Sequence, residues 1–347
     1  MEMAESKRGP SDYRIGWICA LPLEFTAAVA VLDAVHPDLP HDENDTNAYR
    51  FGQVGQQNVI VTGLPSGVYG LTSAARVATN LQRSFPSVNF CLVVGIGGGA
   101  PLLPKNDICL GDVVGSHPIP GCGGVLQYDY GKLVNTGKFE QTGILNKPPV
   151  IFLSAITKFK SAYPPPGKKI EEFVLRVLNG GLVDANIFSR PPPESHYDRL
   201  FKESYEHLKS HRSSNQPEIH YGLIASANQV MKHGATRSRL SKERNILCFE
   251  IEAAGVMDQI SSLIIRGICD YSDSYKNKAW QHYAALIAAG YARELLLQLG
   301  SPQTSKKRKD REDNSIETKD IFECLEALGG TTLQMMKQNR ELERQAY

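Results

Sequence analysis

The sequence predicts an α/β domain, and three observations carry that reading. A strand, a tight turn and a helix follow one another near the N-terminus. A nearly continuous apolar run, Asn89 to Val94, has the character of a central parallel strand covered on both faces. Further apolar runs at Val59–Thr62, Ile108–Gly115, Ile219–Ala225 and Leu263–Ile268 read as strands and are interleaved with helical patterns.

Ile15 opens the first strand, and Pro22 then occupies the first position of a helix, where its missing N–H costs nothing. Phe25, Ala28, Val29 and Leu32 follow at helical spacing. Glu24 falls in the first turn of that helix, beside the carboxyl end of the strand, where a carboxylate complements the helix dipole. Val59–Thr62 leads through the loop Gly63–Gly70 into a helix with Ala74, Ala78 and Leu81 on one face.

The central run ends in Gly95-Ile96-Gly97-Gly98-Gly99-Ala100, expected to be a glycine-rich turn. A dinucleotide-binding fingerprint must open a helix, and Pro101 and Pro104 follow here at once. Two readings stay open: a backbone that approaches a ligand closely, and a purely structural turn. Ile108–Gly115 is the next strand, and Gly123–Tyr130 resembles a hairpin.

Residues 131–218 read as an insertion, with helical patterns at Phe152–Phe159, Ile170–Leu178 and Tyr197–Leu208 separated by Pro164–Pro166 and Pro191–Pro193. A long helix from Ala279 to Leu299 closes the domain, stopped by Gly300 and Pro302. The domain is expected to span 12–299, after a disordered N-terminus (1–11) and before a charged linker (300–320). Lys306–Lys309 in that linker reads as a nuclear import signal or as a solvated tail, and 321–347 as a helical segment suited to a protein partner.

A net charge of +1 gives no global field for nucleic acid or a membrane surface. No secretory signal or membrane-spanning apolar run is present, and the seven cysteines are scattered and odd in number. These features predict reduced thiols and an intracellular, cytoplasmic location. His196, His207 and His211 have no ligand-like pairing, so no metal and no cofactor are expected.

The stretch Cys248–Asp273 carries the chemistry. Glu250 and Glu252 stand where a strand hands over to a helix, and Asp270 and Asp273 stand past the end of a second strand. Ligands of α/β sheets bind outside the carboxyl ends of strands, so these acids are placed to converge. Arg266 lies within an apolar strand and needs a partner if buried; Glu24 is the expected one.

Cys-Ala-Leu-Pro-Leu-Glu24, the Gly95–Gly99 segment, Leu110-Gly-Asp-Val-Val, Phe249-Glu-Ile-Glu-Ala-Ala-Gly and Arg266-Gly-Ile-Cys-Asp-Tyr-Ser-Asp273 together resemble the purine/uridine phosphorylase superfamily, and most of all the nucleosidase-like domains of fungal proteins. The resemblance implies a single three-layer α/β domain with a central mixed, partly barrel-like sheet flanked by helices. It implies cleavage of the N-glycosidic bond of a purine nucleoside, with Asp270 protonating the base and Glu252 binding the ribose hydroxyls. Ile251 stands where a methionine usually lies under the sugar, Val230 and Met231 fall where the base pocket is lined, and Gly95, Ile96, Gly97 and Gly98 run beside the ligand. It implies a homo-oligomer as well.

Phosphorylases of the superfamily hold phosphate with arginines and a serine, and the corresponding places here carry Glu24, Val93 and Ile96. A carboxylate repels phosphate, and in related nucleosidases a glutamate at this place helps to activate water. The resemblance therefore points to hydrolysis, with Asp270, Glu24 and Arg266 as the catalytic set. A phosphate-dependent phosphorylase and a nucleoside-sensing module of a signalling protein are the alternatives. Asp270 as a cap of the following helix is the plain structural reading.

Overall fold

A computed structural model describes residues 8–135, 137, 139–192, 199–202, 205–208, 216–276 and 278–300. Lys306–Lys309, the segment 321–347, His196, His211 and the side chain of His207 lie outside the described residues.

The N-terminal half runs β1 (Ile15–Cys19), α1 (Pro22–Ala30), β2 (Ala34–His36), β3 (Tyr49–Val54), β4 (Gln57–Gly63), α2 (Leu71–Ser84) and β5 (Phe90–Gly99). Short strands follow: β6 (Val113–Ser116), β7 (Val125–Gln127), β8 (Gly131–Leu133) and β9 (Phe139–Gln141). Three helices come next, α3 (Val150–Lys160), α4 (Pro166–Asn179) and α5 (Ala185–Phe188), and then β10 (Arg199–Lys202) and β11 (Tyr205–Leu208). The chain ends its described course with β12 (Ile219–Ser226), α6 (Gly234–Arg244), β13 (Ile246–Glu250), α7 (Ala253–Met257), β14 (Ser262–Asp270) and α8 (Gln281–Leu296).

The main sheet is mixed, in the order β13-β12-β6-β14-β5-β1-β4-β3-β2, with β7 beside β12. β5 pairs with β1 and β14 in parallel and also meets β13 antiparallel at Phe249↔Gly98 and Cys248↔Gly99. That last pairing closes β5, β14, β6, β12 and β13 into a ring, so one end of the sheet is a barrel and the other an open, twisted wing. Helices cover it: α8 packs on β14 and β5 and is in turn covered by α1, α3, α4 and α5, and α2 packs against α7.

The reason α8 sits at the centre is in its sequence. Nearly every residue from Tyr283 to Leu296 is apolar and buried, so it has no polar face to give to solvent. Phe152, Ile156 and Phe159 of α3 and Ile170, Val174 and Val177 of α4 join the same core as β1, β5 and β14. No helix among the described residues is long and apolar enough to cross a membrane.

Four expectations are corrected here. The segment Gly95–Gly99 is not a turn but the last half of β5, because that strand must bend between β14 and β13 to close the ring, a corner that glycine accommodates. The strand expected over Ile108–Gly115 begins only at Val113: Gly111 adopts φ 84° and the Asp112 carboxylate accepts the Cys109 N–H, so the chain turns there. Gly123–Tyr130 forms no hairpin, since β7 joins β12 in parallel. Within the stretch Tyr197–Leu208, expected as a helix, Arg199–Lys202 and Tyr205–Leu208 pair as antiparallel strands instead. Its apolar positions fit both spacings, and pairing along the chain prevails.

Candidate active site

The ends of β1, β5, β13 and β14 surround a cavity of about 190 Å³. Glu24, Ile96, Gly97, Gly98, Val230, Met231, Ile251, Glu252 and Asp270 all line it, together with Tyr69, Phe249, Glu250, Cys269, Ser272 and Lys276. These residues come from six separate stretches of sequence and meet on one space.

Glu24 reaches it from the first turn of α1. Its Oε2 accepts the N–H groups of Ala20 (2.7 Å) and Leu21 (2.9 Å), closing the turn between β1 and α1. Its Oε1 accepts the Ile96 N–H across the sheet at 2.8 Å, which leaves that oxygen one further lone pair toward the cavity. Glu24 thus lies in the first turn of α1 and lines the cavity at the same time. Burial raises the Glu24 pKa above the ordinary carboxylate value, against the opposing pull of Arg266 and the three N–H donors.

Arg266, on β14, is 1% exposed. Its Nη2 pairs with Glu250 Oε2 at 2.5 Å and lies 3.5 Å from Glu252 Oε2. The expected partner was Glu24; the ion pair instead goes to Glu250. Gly95 explains the geometry: an added Cβ there would collide with Arg266 Nη1 and with Glu24 Oε1, so both groups press against bare backbone from the same side. Glu250 Oε2 also accepts the N–H groups of Glu252 (3.0 Å) and Ala253 (2.9 Å), capping α7, while its Oε1 is buried without a hydrogen-bond partner.

Glu252 stands at the start of α7, with its carboxylate almost wholly buried. Burial, set against the attraction of Arg266 and reinforced by the charges of Glu250 and Glu24, pushes its pKa up to about 8. Three carboxylates therefore share a single guanidinium.

Asp270 ends β14. Its Oδ1 accepts the Ser272 N–H at 2.8 Å, and its Oδ2 lies 3.1 Å from Lys276 Nζ and 3.4 Å from Cys269 Sγ. The Ser272 bond is a tight local turn, with Ser272 at φ 55°, so Asp270 orients its own loop and caps no helix. Gly98 makes room for it: a Cβ there would come within 2.6 Å of Asp270 Oδ1 and strike Ser272 Oγ. Asp273, placed by the sequence among the converging acids, pairs instead with the buried Arg237 at 3.5 Å, and Arg237 Nη1 donates to the Tyr271 carbonyl at 2.6 Å.

Three groups at the site were not foreseen. Glu250, placed by the sequence only among the converging acids, is the arginine's main partner. Lys276, six residues past Asp270 in a polar loop, gave no periodic signal. Arg237 lies in α6, whose composition is polar throughout, and only its position under the Asp270 loop distinguishes it. The base-side expectations Val230 and Met231 both border the cavity; Val230 is half exposed, while Met231 packs with Phe249.

No protein-family profile matches the chain. A nucleotide-binding leucine-rich repeat (NLR)-like protein of Hyaloscypha variabilis is 41% identical over 312 residues, covering 86% of this chain. The chain spans only about 30% of that relative's length. A 5′-methylthioadenosine/S-adenosylhomocysteine nucleosidase of Mycobacterium bovis is 24% identical over 287 residues, 81% of this chain and 95% of that protein. Among solved structures, futalosine hydrolase of Helicobacter pylori superposes with a TM-score of 0.55 at 14% identity, covering 84% of this chain and 100% of its own. The methylthioadenosine/adenosylhomocysteine nucleosidase of Streptococcus pneumoniae gives 0.53 at 16% identity over 82% and 100%. The closed ring of β5, β14, β6, β12 and β13, its covering helices and these superpositions agree: the chain has the α/β fold seen in these nucleosidase and futalosine hydrolase structures.

Proposed function

We propose that the protein is a purine nucleosidase that hydrolyses the N-glycosidic bond to free base and ribose. The observation that carries the choice of water over phosphate is Glu24. Its carboxylate is fixed at the cavity wall by three backbone N–H groups, with Glu250 and Glu252 also lining the space and Arg266 committed to Glu250. An anion would meet net negative charge there.

Cleavage puts positive charge on the ribose and negative charge on the departing base. Glu252 accepts hydrogen bonds from the ribose hydroxyls and, once ionised, favours the cationic sugar. Asp270 delivers a proton to the base as the C1′–N9 bond breaks. Water adds to C1′ and loses its proton to Glu24, which lines the cavity. Phe249, held edge-on by Tyr128 with ring centroids 5.6 Å apart, and Met231 supply apolar contact for the base.

The test is incubation with adenosine, inosine and guanosine, with and without phosphate. Free ribose at equal rates in both conditions is the expected result; ribose 1-phosphate appearing only with phosphate would mean a phosphorylase.

The relative from Hyaloscypha variabilis, of which this chain covers about a third, favours one second reading. In that reading this chain is a nucleoside-sensing module of a larger signalling protein, a homo-oligomer that meets a protein partner through 321–347. An Asp270→Asn variant that loses turnover but keeps the biological output would favour sensing over catalysis.

A further inference from the structure

Among the described residues lining the cavity, Lys276 is the only basic one. It sits in the loop between β14 and α8, with its side chain 28% exposed, and its Nζ lies 3.1 Å from Asp270 Oδ2. The other donors on that carboxylate are the Ser272 backbone N–H and the Cys269 thiol. An amide N–H does not release its proton. Cys269 is buried, and burial together with the Asp270 charge pushes its pKa well above the ordinary thiol value, so it stays neutral. Among the described residues, Lys276 alone touches Asp270 on one side and reaches solvent on the other.

We propose that Lys276 is the proton source for the departing base, reloading Asp270 from the solvent side of the cavity. This inference rests on the nucleosidase reading. As the C1′–N9 bond breaks, its electron pair passes to the base. N7 takes a proton from Asp270 Oδ2, and Asp270 takes one from the Lys276 ammonium. Water adds to C1′ and gives its proton to Glu24. Lys276, left as an amine, is reprotonated by solvent while Glu24 returns its proton, so base, ribose and enzyme are restored without a further reactant.

The experiment compares wild type with Lys276→Met and Lys276→Arg on two kinds of substrate. Adenosine, inosine and guanosine need a proton on the leaving base. The base of 7-methylguanosine is already cationic, and 4-nitrophenyl β-D-ribofuranoside releases a stable phenolate. Lys276→Met is expected to lose roughly 100-fold in kcat on the purine nucleosides, the lower range for a removed proton donor, and to keep its rate on the activated ribosides. Lys276→Arg is expected to lose as much, because a guanidinium keeps its proton.

Equal losses on both substrate kinds would overturn the proposal, as they would mean a structural role. Full activity in Lys276→Arg would overturn it in favour of a fixed charge, and an unaffected Lys276→Met would overturn it outright. A wild type that cleaves the purine nucleosides but neither activated riboside would overturn it too, since leaving-group protonation would then not limit the site. A wild type that cleaves no nucleoside at all sinks the nucleosidase reading itself, a result distinct from every one of these.

Discussion

Arg266 and Glu250 meet at 2.5 Å, with both side chains about 1% exposed, and the one guanidinium offsets only part of the negative charge of the carboxylates around it. Glu24 and Glu252 face the same guanidinium, and both act on it electrostatically. Removing the arginine would leave three buried carboxylates without a cation. Arg266→Met is expected to cost about 3 to 5 kcal/mol of stability, the range for one broken buried pair, measured by urea unfolding. Glu250→Gln, which keeps the size and one acceptor, is expected to cost less.

Gly95, with no side chain of its own, leaves the space that the Arg266 and Glu24 groups both occupy. Gly95→Ala is expected to displace both and to cost about 1 to 3 kcal/mol in unfolding free energy, as overpacking does. Because Glu24 would move with respect to C1′, the loss in kcat is expected to be on the order of 100-fold, larger than the stability change suggests.

Glu252 gives a pH dependence whose sign follows from its burial. Its pKa rises from the ordinary 4.5 to about 8 in the folded chain, so between these values the folded state holds a proton that the unfolded state has lost. Stability therefore falls as the pH rises through this window, and Glu24, raised for the same reason, adds in the same direction. The thermal midpoint is expected to drop between about pH 5 and pH 8. Glu252→Gln is expected to flatten the curve; an unchanged slope would count against a buried, protonated Glu252.

Arg237 ties α6 to the loop that presents Asp270, through the Tyr271 carbonyl and Asp273. Arg237→Met is expected to leave substrate affinity little changed and to lower kcat, because it loosens the loop without touching the cavity lining. A double-mutant cycle with Asp273→Asn checks the route: the two losses in kcat are expected to be strongly non-additive.

Much of this architecture is legible in the chain. The β1–α1 unit shows in Pro22 and in the apolar spacing behind it, and the central strand shows in the run to Val94. The carboxylates Glu24, Glu252 and Asp270 stand out because acids at the carboxyl ends of apolar strands have no packing reason to be there, and all three border the cavity. Less visible were the elements whose pattern fits two structures, such as Tyr197–Leu208, and the short strands set by their neighbours rather than by themselves, such as β7.

What the sequence determined by itself was the fold class, the order of most strands and helices, and the residue types gathered for the chemistry, because local spacing and composition control those. What the tertiary structure decided was the pairing: Arg266 with Glu250 rather than Glu24, Asp273 with Arg237, Lys276 with Asp270, and the glycines of β5 as a strand bending between two neighbours. These choices depend on distances between residues far apart in sequence. Burial then makes the partner of each charge matter more than its identity, and spacing along the chain carries no record of that partner.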